Sequence, residues 1–213
     1  MVGASRTDAG VHALGQVASV ESASPLVPRT VMAALNARLP RDVRVLAART
    51  ASPEFDARRT ARLKRYGYLI QTGPVASPFF QDRAWHVGRP LDTDAMAQAL
   101  APLRGKHDFA AFCAAAGGGR DPTCTMRTLR VVARGDRVGV LMSADAFLHH
   151  MVRNIVGSLV EVGLGRRPAR WVAEVLAGRD RRCAGPTAPA HGLYLLRVLY
   201  PWRVFPGGRH SRG

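Results

Sequence analysis

A short segment near the start of the chain, residues 5–18, carries the residue types best suited to chemistry. It reads SRTDAGVHALGQVA and places Arg6, Asp8 and His12 around Gly10, just before an apolar stretch. A glycine turn that leads into a strand presents polar side chains on a rigid support. We therefore take the Asp8 carboxylate as the candidate reactive group. The alternative is an Asx turn, in which the carboxylate bonds its own backbone.

A second group of reactive side chains, His149 and His150, suggests a metal-dependent hydrolase in which Asp8 completes the ligand set. The pattern disfavours this function. Neighbouring residues on a helix point about 100° apart, so two adjacent histidines do not easily bind one ion. The spacing therefore predicts no metal site at these histidines.

The charge of the chain favours a polyanionic partner. Its 213 residues include 31 basic and 15 acidic ones, for a net charge of +16. Such an excess indicates nucleic acid first and an anionic membrane surface second. The basic run at residues 58–65 is either a solvated connector or a track that faces phosphates.

Cysteine usage and hydropathy predict the compartment. The three cysteines, Cys113, Cys124 and Cys183, form no C-x-x-C pair, and their odd number leaves no complete disulfide set. The sequence has no apolar run of about 18 residues and does not open with a signal peptide. We expect a cytoplasmic protein with no membrane association.

The periodicity of apolar residues predicts an α+β fold with mixed or mostly antiparallel sheets backed by helices. Two similar halves are expected to face a central active-site cleft, with the first half at 1–62, the second at 63–205 and a disordered tail at 206–213. A flexible loop that contains the glycines at 117–119 is expected at 114–122. The predicted strands are 14–21, 43–48, 66–71, 125–133, 137–144 and 192–199, and the predicted helices start near residues 28, 92, 145 and 171.

The helix predicted from residue 145 has the widest apolar stripe in the chain. On its other side the spacing groups His150, Arg153, Asn154 and Gly157 at i, i+3, i+4 and i+7. Gly157 allows another backbone to approach this polar face. On spacing alone, Arg153 is a solvated side chain or a partner for an acid.

The residue identities of several segments carry more information than their spacing alone. The RTDAGVHA loop at 6–13 resembles the nucleophile loop of the TruA family of transfer-RNA pseudouridine synthases. Further blocks resemble the same family and follow in its order. They are NARLP at 36–40, FDAR at 55–58, RYGY at 65–68, HDF at 107–109, FLHHMVRNIVG at 147–157 and GLYL at 192–195.

This resemblance implies an isomerase that converts uridine to pseudouridine at positions 38, 39 and 40 of the tRNA anticodon stem-loop. It implies a homodimer without metal or cofactor. Carried over by position, Asp8 is the nucleophile, Tyr66 contacts the target base, Arg6 helps to displace that base, Arg153 lies near the acid and Arg58 is a further substrate contact.

The reaction suits a carboxylate. The uracil must leave C1′ through N1, turn, and rejoin through C5, and a group that bonds covalently to ring or sugar can hold it meanwhile. The sequence leaves three routes open for Asp8, which are addition to C1′, addition to C6 and promotion of a glycal. Unstacking the base costs a few kcal/mol, and stacking on an aromatic such as Tyr66 returns roughly 1–3 kcal/mol.

Members of the family carry several dozen residues before this loop, including a strand and a helix. We therefore expect either a start codon further upstream or a fragment with impaired activity. The alternative function is a non-catalytic RNA-binding protein. Both functions predict salt-dependent RNA binding, but only the enzyme requires the Asp8 carboxylate.

Overall fold

The computed structural model describes residues 1–114 and 121–205, so the three glycines of the predicted loop and the predicted tail lie outside the described residues. Four helices and nine strands lie within these two ranges. The helices are α1 (Pro28–Arg38), α2 (Thr93–Leu100), α3 (Met151–Gly163) and α4 (Trp171–Gly178). The strands are β1 (Val2–Gly3), β2 (His12–Ala13), β3 (Ala18–Ser19), β4 (Leu63–Gln71), β5 (Trp85–His86), β6 (Gly105–Asp108), β7 (Thr123–Arg134), β8 (Arg137–Ala144) and β9 (Leu193–Leu199).

The strands of the described ranges form one large mixed sheet and one small one. The large sheet has seven strands in the order β2-β9-β4-β8-β7-β6, with β5 beside β4. Strands β2 and β9 are parallel, as are β4 and β5, and the remaining pairs are antiparallel. Strands β1 and β3 form a separate antiparallel pair. The predicted α+β class is confirmed, while the division into halves at residue 62 stays a prediction.

Strand β4 lies at the centre of the sheet and contains the strand predicted at 66–71. Tyr66, Tyr68 and Ile70 are buried on one face, with 6%, 1% and 0% of their surface exposed. They belong to the same apolar core as Ile155 and Leu159 of α3. Side chains two apart on a strand share a face, so this row fixes which face of β4 meets the helices.

Helix α3 begins six residues later than predicted. It starts at Met151, and its N-cap, His150, has a left-handed backbone with φ of 59°. A left-handed residue cannot continue a right-handed helix into the preceding segment. The predicted polar face is also wrong at two positions, because Asn154 and Gly157 are fully buried. Helix α3 is therefore enclosed on nearly all sides rather than half-exposed.

The region at residues 14–48 differs most from its prediction. The strand expected at 14–21 is reduced to β3, and 43–48 forms no strand. Instead, the Asn36 side chain accepts from Val45 N–H at 2.8 Å and donates to the Val45 carbonyl at 2.9 Å. An amide side chain thus takes the place of a neighbouring strand. Helix α1 has the predicted proline start but contributes no buried residue.

No helix within residues 1–114 and 121–205 combines the length and the hydropathy that crossing a bilayer requires.

Candidate functional site

The loop that carries Asp8 is a tight turn fixed to the large sheet. The Val11 N–H donates to the Asp8 carbonyl at 3.1 Å, and Gly10 has φ of 82°, a conformation that favours glycine. The chain then joins β9 through β2, and the Leu14 N–H donates to the Leu195 carbonyl at 2.9 Å. The turn is thereby held at both its ends.

The Asp8 carboxylate points away from its own backbone toward the start of α3. Arg153 Nη1 donates to Asp8 Oδ2 at 2.9 Å. His150 Nε2 lies 3.0 Å from the same oxygen, and His149 Nε2 lies 3.6 Å from Oδ1. The contacts of an Asx turn are replaced by contacts to three side chains of one segment. About a third of the Asp8 side chain is exposed, so the carboxylate is both stabilised and accessible.

The two histidines face the same way, contrary to the prediction that adjacent histidines diverge. Their ring centroids are 3.9 Å apart. The prediction was wrong because both residues precede α3, and the left-handed backbone of His150 turns the two rings to one side. Burial lowers the pKa of His150, which outweighs the opposing attraction of the Asp8 carboxylate. Neutral imidazole is thus favoured beside the acid.

Tyr66 forms another wall of the site, beside the Asp8 loop. The β4–β9 register shifts at this point because Leu196 of β9 has no partner on β4, whereas Tyr66 keeps a regular register with β8. The Tyr66 hydroxyl lies 2.8 Å from Ser5 Oγ, and its ring packs edge-on against Phe147 at 4.9 Å. Burial raises the pKa of Tyr66, so its hydroxyl stays protonated at neutral pH.

An open pocket joins four of the five residues that the sequence singled out. Arg6, Asp8, Tyr66 and Arg153 all line it. Arg6 is exposed and has no hydrogen bond or ion pair to any other residue that the structure describes. Arg58 lies outside the pocket, where its Nε donates to the Gly3 carbonyl at 3.2 Å. Arg58 therefore supports the backbone segment that leads into the Asp8 loop.

The position of Arg153 depends on a segment that sequence reasoning missed, residues 184–190, here called the strap. Arg153 Nε donates to the Ala188 carbonyl at 2.7 Å, and the Ala188 N–H donates to the Arg153 carbonyl at 3.2 Å. The strap crosses α3 at Gly157, where an added Cβ would lie 1.7 Å from the Pro186 carbonyl oxygen. The spacing of Gly157 predicted that another backbone segment approaches this helix. It did not identify that segment as the strap.

Arg181 fastens the strap to α3. Its Nη2 donates to Asn154 Oδ1 and to Thr187 Oγ1, both at 3.0 Å, and its Nη1 donates to the Gly185 carbonyl at 2.9 Å. The Asn154 amide in turn donates to the Phe112 carbonyl at 2.7 Å. A buried polar network is stable only when each of its polar groups has a hydrogen-bond partner. The Arg181 guanidinium therefore holds the strap at a fixed distance from α3 and from Arg153.

This network makes a testable prediction for catalysis. We expect Arg181→Met to lower kcat by about 10–100-fold, because a displacement near 1 Å at a catalytic group costs about that much. The KM for the substrate should stay nearly constant, and Arg181→Lys should restore part of the rate. Steady-state kinetics measures both parameters. The matched control is Arg182→Met, since Arg182 is 90% exposed and pairs only locally with Asp180.

A parallel loss of substrate affinity in Arg181→Met would contradict a positioning role. So would a loss of rate that is no larger than in Arg182→Met.

Comparison with known proteins assigns the class of this fold and site. Residues 99–201 match the family model described as tRNA pseudouridine synthase. The matched part covers the hairpin of β7 and β8, all of α3 and the strap, and so includes Arg153 and both histidines.

Full-length relatives extend the match over the Asp8 loop. A tRNA pseudouridine synthase A of Myxococcus xanthus is 48% identical over 209 residues, which are 96% of this chain and 79% of the relative. The protein of that name from Azorhizobium caulinodans is 45% identical over 213 residues, 100% of this chain and 83% of the relative. The one from Actinobacillus succinogenes is 44% identical over 200 residues, covering 94% and 76%. The chain belongs to the tRNA pseudouridine synthase A family and is an isomerase.

Proposed function

We propose that this isomerase converts uridine to pseudouridine at positions 38, 39 and 40 of the tRNA anticodon stem-loop. Asp8 is the nucleophile and Tyr66 contacts the target base. Arg6 helps to displace the base, and Arg153 stabilises the carboxylate. The enzyme works as a homodimer in the cytoplasm and needs no metal or organic cofactor.

One observation carries the proposal, the carboxylate of Asp8 held at 2.9 Å by Arg153 while a third of its side chain remains accessible. The guanidinium is itself fixed by the strap through Ala188. A preorganised charge of this kind needs no rearrangement when the substrate arrives, which is the main source of electrostatic catalysis. The site thus offers an oriented carboxylate at the wall of an open pocket.

The reaction balances without an oxidant or a co-reactant. The C1′–N1 bond breaks and a C1′–C5 bond forms. C5 loses its hydrogen to solvent, and N1 gains a proton. Asp8 bonds to the ribose or to the ring, or promotes a glycal, while the uracil turns. Loss of the C5 hydrogen provides a direct assay, because tritium placed at that carbon appears in water only when the isomerisation occurs.

The pocket also supports capture of a base that has left its stack. Tyr66 and Phe147 give the pocket an aromatic wall, and Arg6 is exposed beside it with no partner among the described residues. Aromatic contact returns roughly 1–3 kcal/mol per base, comparable with the few kcal/mol that flipping costs. An unpaired arginine is available to occupy the space that the base vacates.

The basic run at residues 58–65 supports the phosphate-facing interpretation. Arg58, Arg59, Arg62 and Arg65 are exposed, while Lys64 donates to the Ala4 carbonyl at 2.6 Å. The run therefore borders the Asp8 loop at Gly3 and Ala4. The exposed guanidinium groups of this run suit the phosphates of a folded RNA.

We expect the double variant Arg62→Gln/Arg65→Gln to weaken tRNA binding and to flatten its salt dependence. Each lost phosphate contact should reduce the slope of log K against log salt by about 1. Filter binding across a salt series measures the slope. The matched control is Arg130→Gln/Arg134→Gln, which removes the same charge from two exposed arginines of β7. Equal slope changes in the two variants would contradict a specific phosphate track.

The experiment that tests the proposed function is tritium release from tRNA labelled at uridine C5, with this chain and its Asp8→Asn variant. Substrates with single uridines at positions 38, 39 or 40 test the positions. Release that Asp8→Asn abolishes supports the enzyme. Salt-dependent binding with no release from either protein would instead favour the RNA-binding alternative.

A further inference from the structure

The donor atoms that surround Asp8 fit a transition-metal ion. Asp8, His149 and His150 each offer one ligand atom, and these atoms all lie within 4.8 Å of one another, an arrangement found by searching the residues that the structure describes. Two imidazole nitrogens and one carboxylate oxygen are a common protein ligand set for Zn²⁺, with water in the fourth position.

The measured separations match the size of such an ion. His149 Nε2 lies 3.6 Å from Asp8 Oδ1, and His150 Nε2 lies 3.0 Å from Asp8 Oδ2. Metal–ligand bonds of about 2.0–2.2 Å place tetrahedral ligands roughly 3.3 Å apart. The three donor atoms all lie within 4.8 Å of one another, so rotation of the imidazole rings directs both nitrogens at one ion.

Arg153 bonds only one of the two oxygens of the Asp8 carboxylate, so the other oxygen is available to an ion. Its guanidinium bonds Asp8 Oδ2, so Oδ1 can bind the metal while Arg153 orients the carboxylate from outside, as outer-shell partners do in metal sites. The positive charge of Arg153 also opposes the ion. The balance favours a reversible site over a permanently occupied one.

We propose that Zn²⁺ binds reversibly to Asp8, His149 and His150 and inhibits the enzyme. Binding of the ion is independent of the reaction, whereas inhibition rests on the proposed role of Asp8 as the nucleophile. A carboxylate that coordinates Zn²⁺ is no longer free to attack, and the ion fills the wall of the pocket that receives the base. Mg²⁺ does not compete, because it prefers oxygen ligands in an octahedral arrangement.

The binding test uses the full chain without a histidine tag. Co²⁺ reports coordination through its visible d–d absorption, and Zn²⁺ affinity follows from competition against Co²⁺. We expect an intense tetrahedral band that Zn²⁺ removes and Mg²⁺ does not. His149→Ala and His150→Ala should each weaken Zn²⁺ binding by more than about 10-fold, the lower end of what loss of even an outer-shell partner costs.

Two control variants separate this site from other donors. Cys183 is an exposed thiol, and Cys183→Ser should leave the band and the affinity unchanged. His107→Gln removes an imidazole whose Nε2 bonds the Arg104 carbonyl, and it should also have no effect. A sulfur-to-cobalt charge-transfer band that disappears in Cys183→Ser would overturn the proposal. Absence of a tetrahedral band in the unmodified chain would do the same.

The inhibition test measures tritium release against Zn²⁺ concentration, with reversal by a chelator. The midpoint of inhibition should match the Zn²⁺ affinity and shift by more than about 10-fold in His149→Ala. An unshifted midpoint, or Zn²⁺ binding without inhibition, would overturn the inhibitory role. If the chain released no tritium even without Zn²⁺, the proposed function would fail, while the cobalt spectra would still decide whether the metal site exists.

Discussion

Asp8→Asn is expected to slow tritium release by at least about 10³-fold, since loss of an enzymatic nucleophile commonly costs more than this. Asparagine has nearly the same shape as aspartate and keeps one oxygen for Arg153, so the loop should retain its position. What is lost is the charge and the oxygen that forms the covalent bond. Binding of tRNA should be unchanged or slightly tighter, because the variant removes a negative charge from a site for a polyanion.

The measurement combines single-turnover tritium release, filter binding and a thermal melt. Asp82→Asn is the matched control, because it neutralises an exposed acid that does not line the pocket. It should release tritium at the rate of the unmodified chain. An Asp8→Asn variant that kept more than a tenth of that rate would contradict nucleophilic catalysis by Asp8, whatever its affinity for tRNA.

Gly157→Ala should damage both stability and rate. The new Cβ would lie 1.7 Å from the Pro186 carbonyl oxygen and 2.9 Å from the Pro186 carbonyl carbon, and backbone atoms cannot move aside as a flexible side chain can. Overpacking of this kind costs typically 1–3 kcal/mol or more. The displaced strap would also withdraw the Ala188 carbonyl from Arg153, and a shift near 1 Å lowers the rate by about 10²-fold.

Gly178→Ala is the matched control for this variant. No atom that the structure describes lies within 4 Å of a Cβ added to Gly178, the last residue of α4. Alanine is the better helix former by up to about 1 kcal/mol, so this variant should be neutral or stabilising. Urea unfolding gives the two free-energy changes, and tritium release gives the two rates. Equal stability of both variants would show that the strap can relax away from α3 without cost.

Elements specified by local pattern were predicted well from the sequence. The hairpin of β7 and β8 turns at Gly135 and Asp136 as expected, and Asp92 caps α2 by accepting from the Ala95 N–H. The strand predicted at 66–71 lies within β4. In each case the information lies within about ten neighbouring residues.

Features that depend on distant partners were not predictable in this way. Alternation at residues 43–48 matched a strand, but a strand also needs a neighbour, and Asn36 binds that backbone instead. The left-handed turn at His150 follows from the packing of the 145–150 segment, which periodicity extended into a helix. The strap meets α3 about 30 residues away in sequence, so neither its role nor that of Arg181 could be inferred from spacing.

The unburied helix α1 has a consequence for local opening of the chain. An eleven-residue helix without buried contacts is marginal alone, so its amides should exchange with solvent hydrogen through frequent local unfolding. The Asp8 loop is separately anchored, by the bond from Ala4 N–H to the Val17 carbonyl on one side and by β9 on the other. We therefore expect the Asp8 carboxylate to stay in register with Arg153 while helix α1 opens and closes.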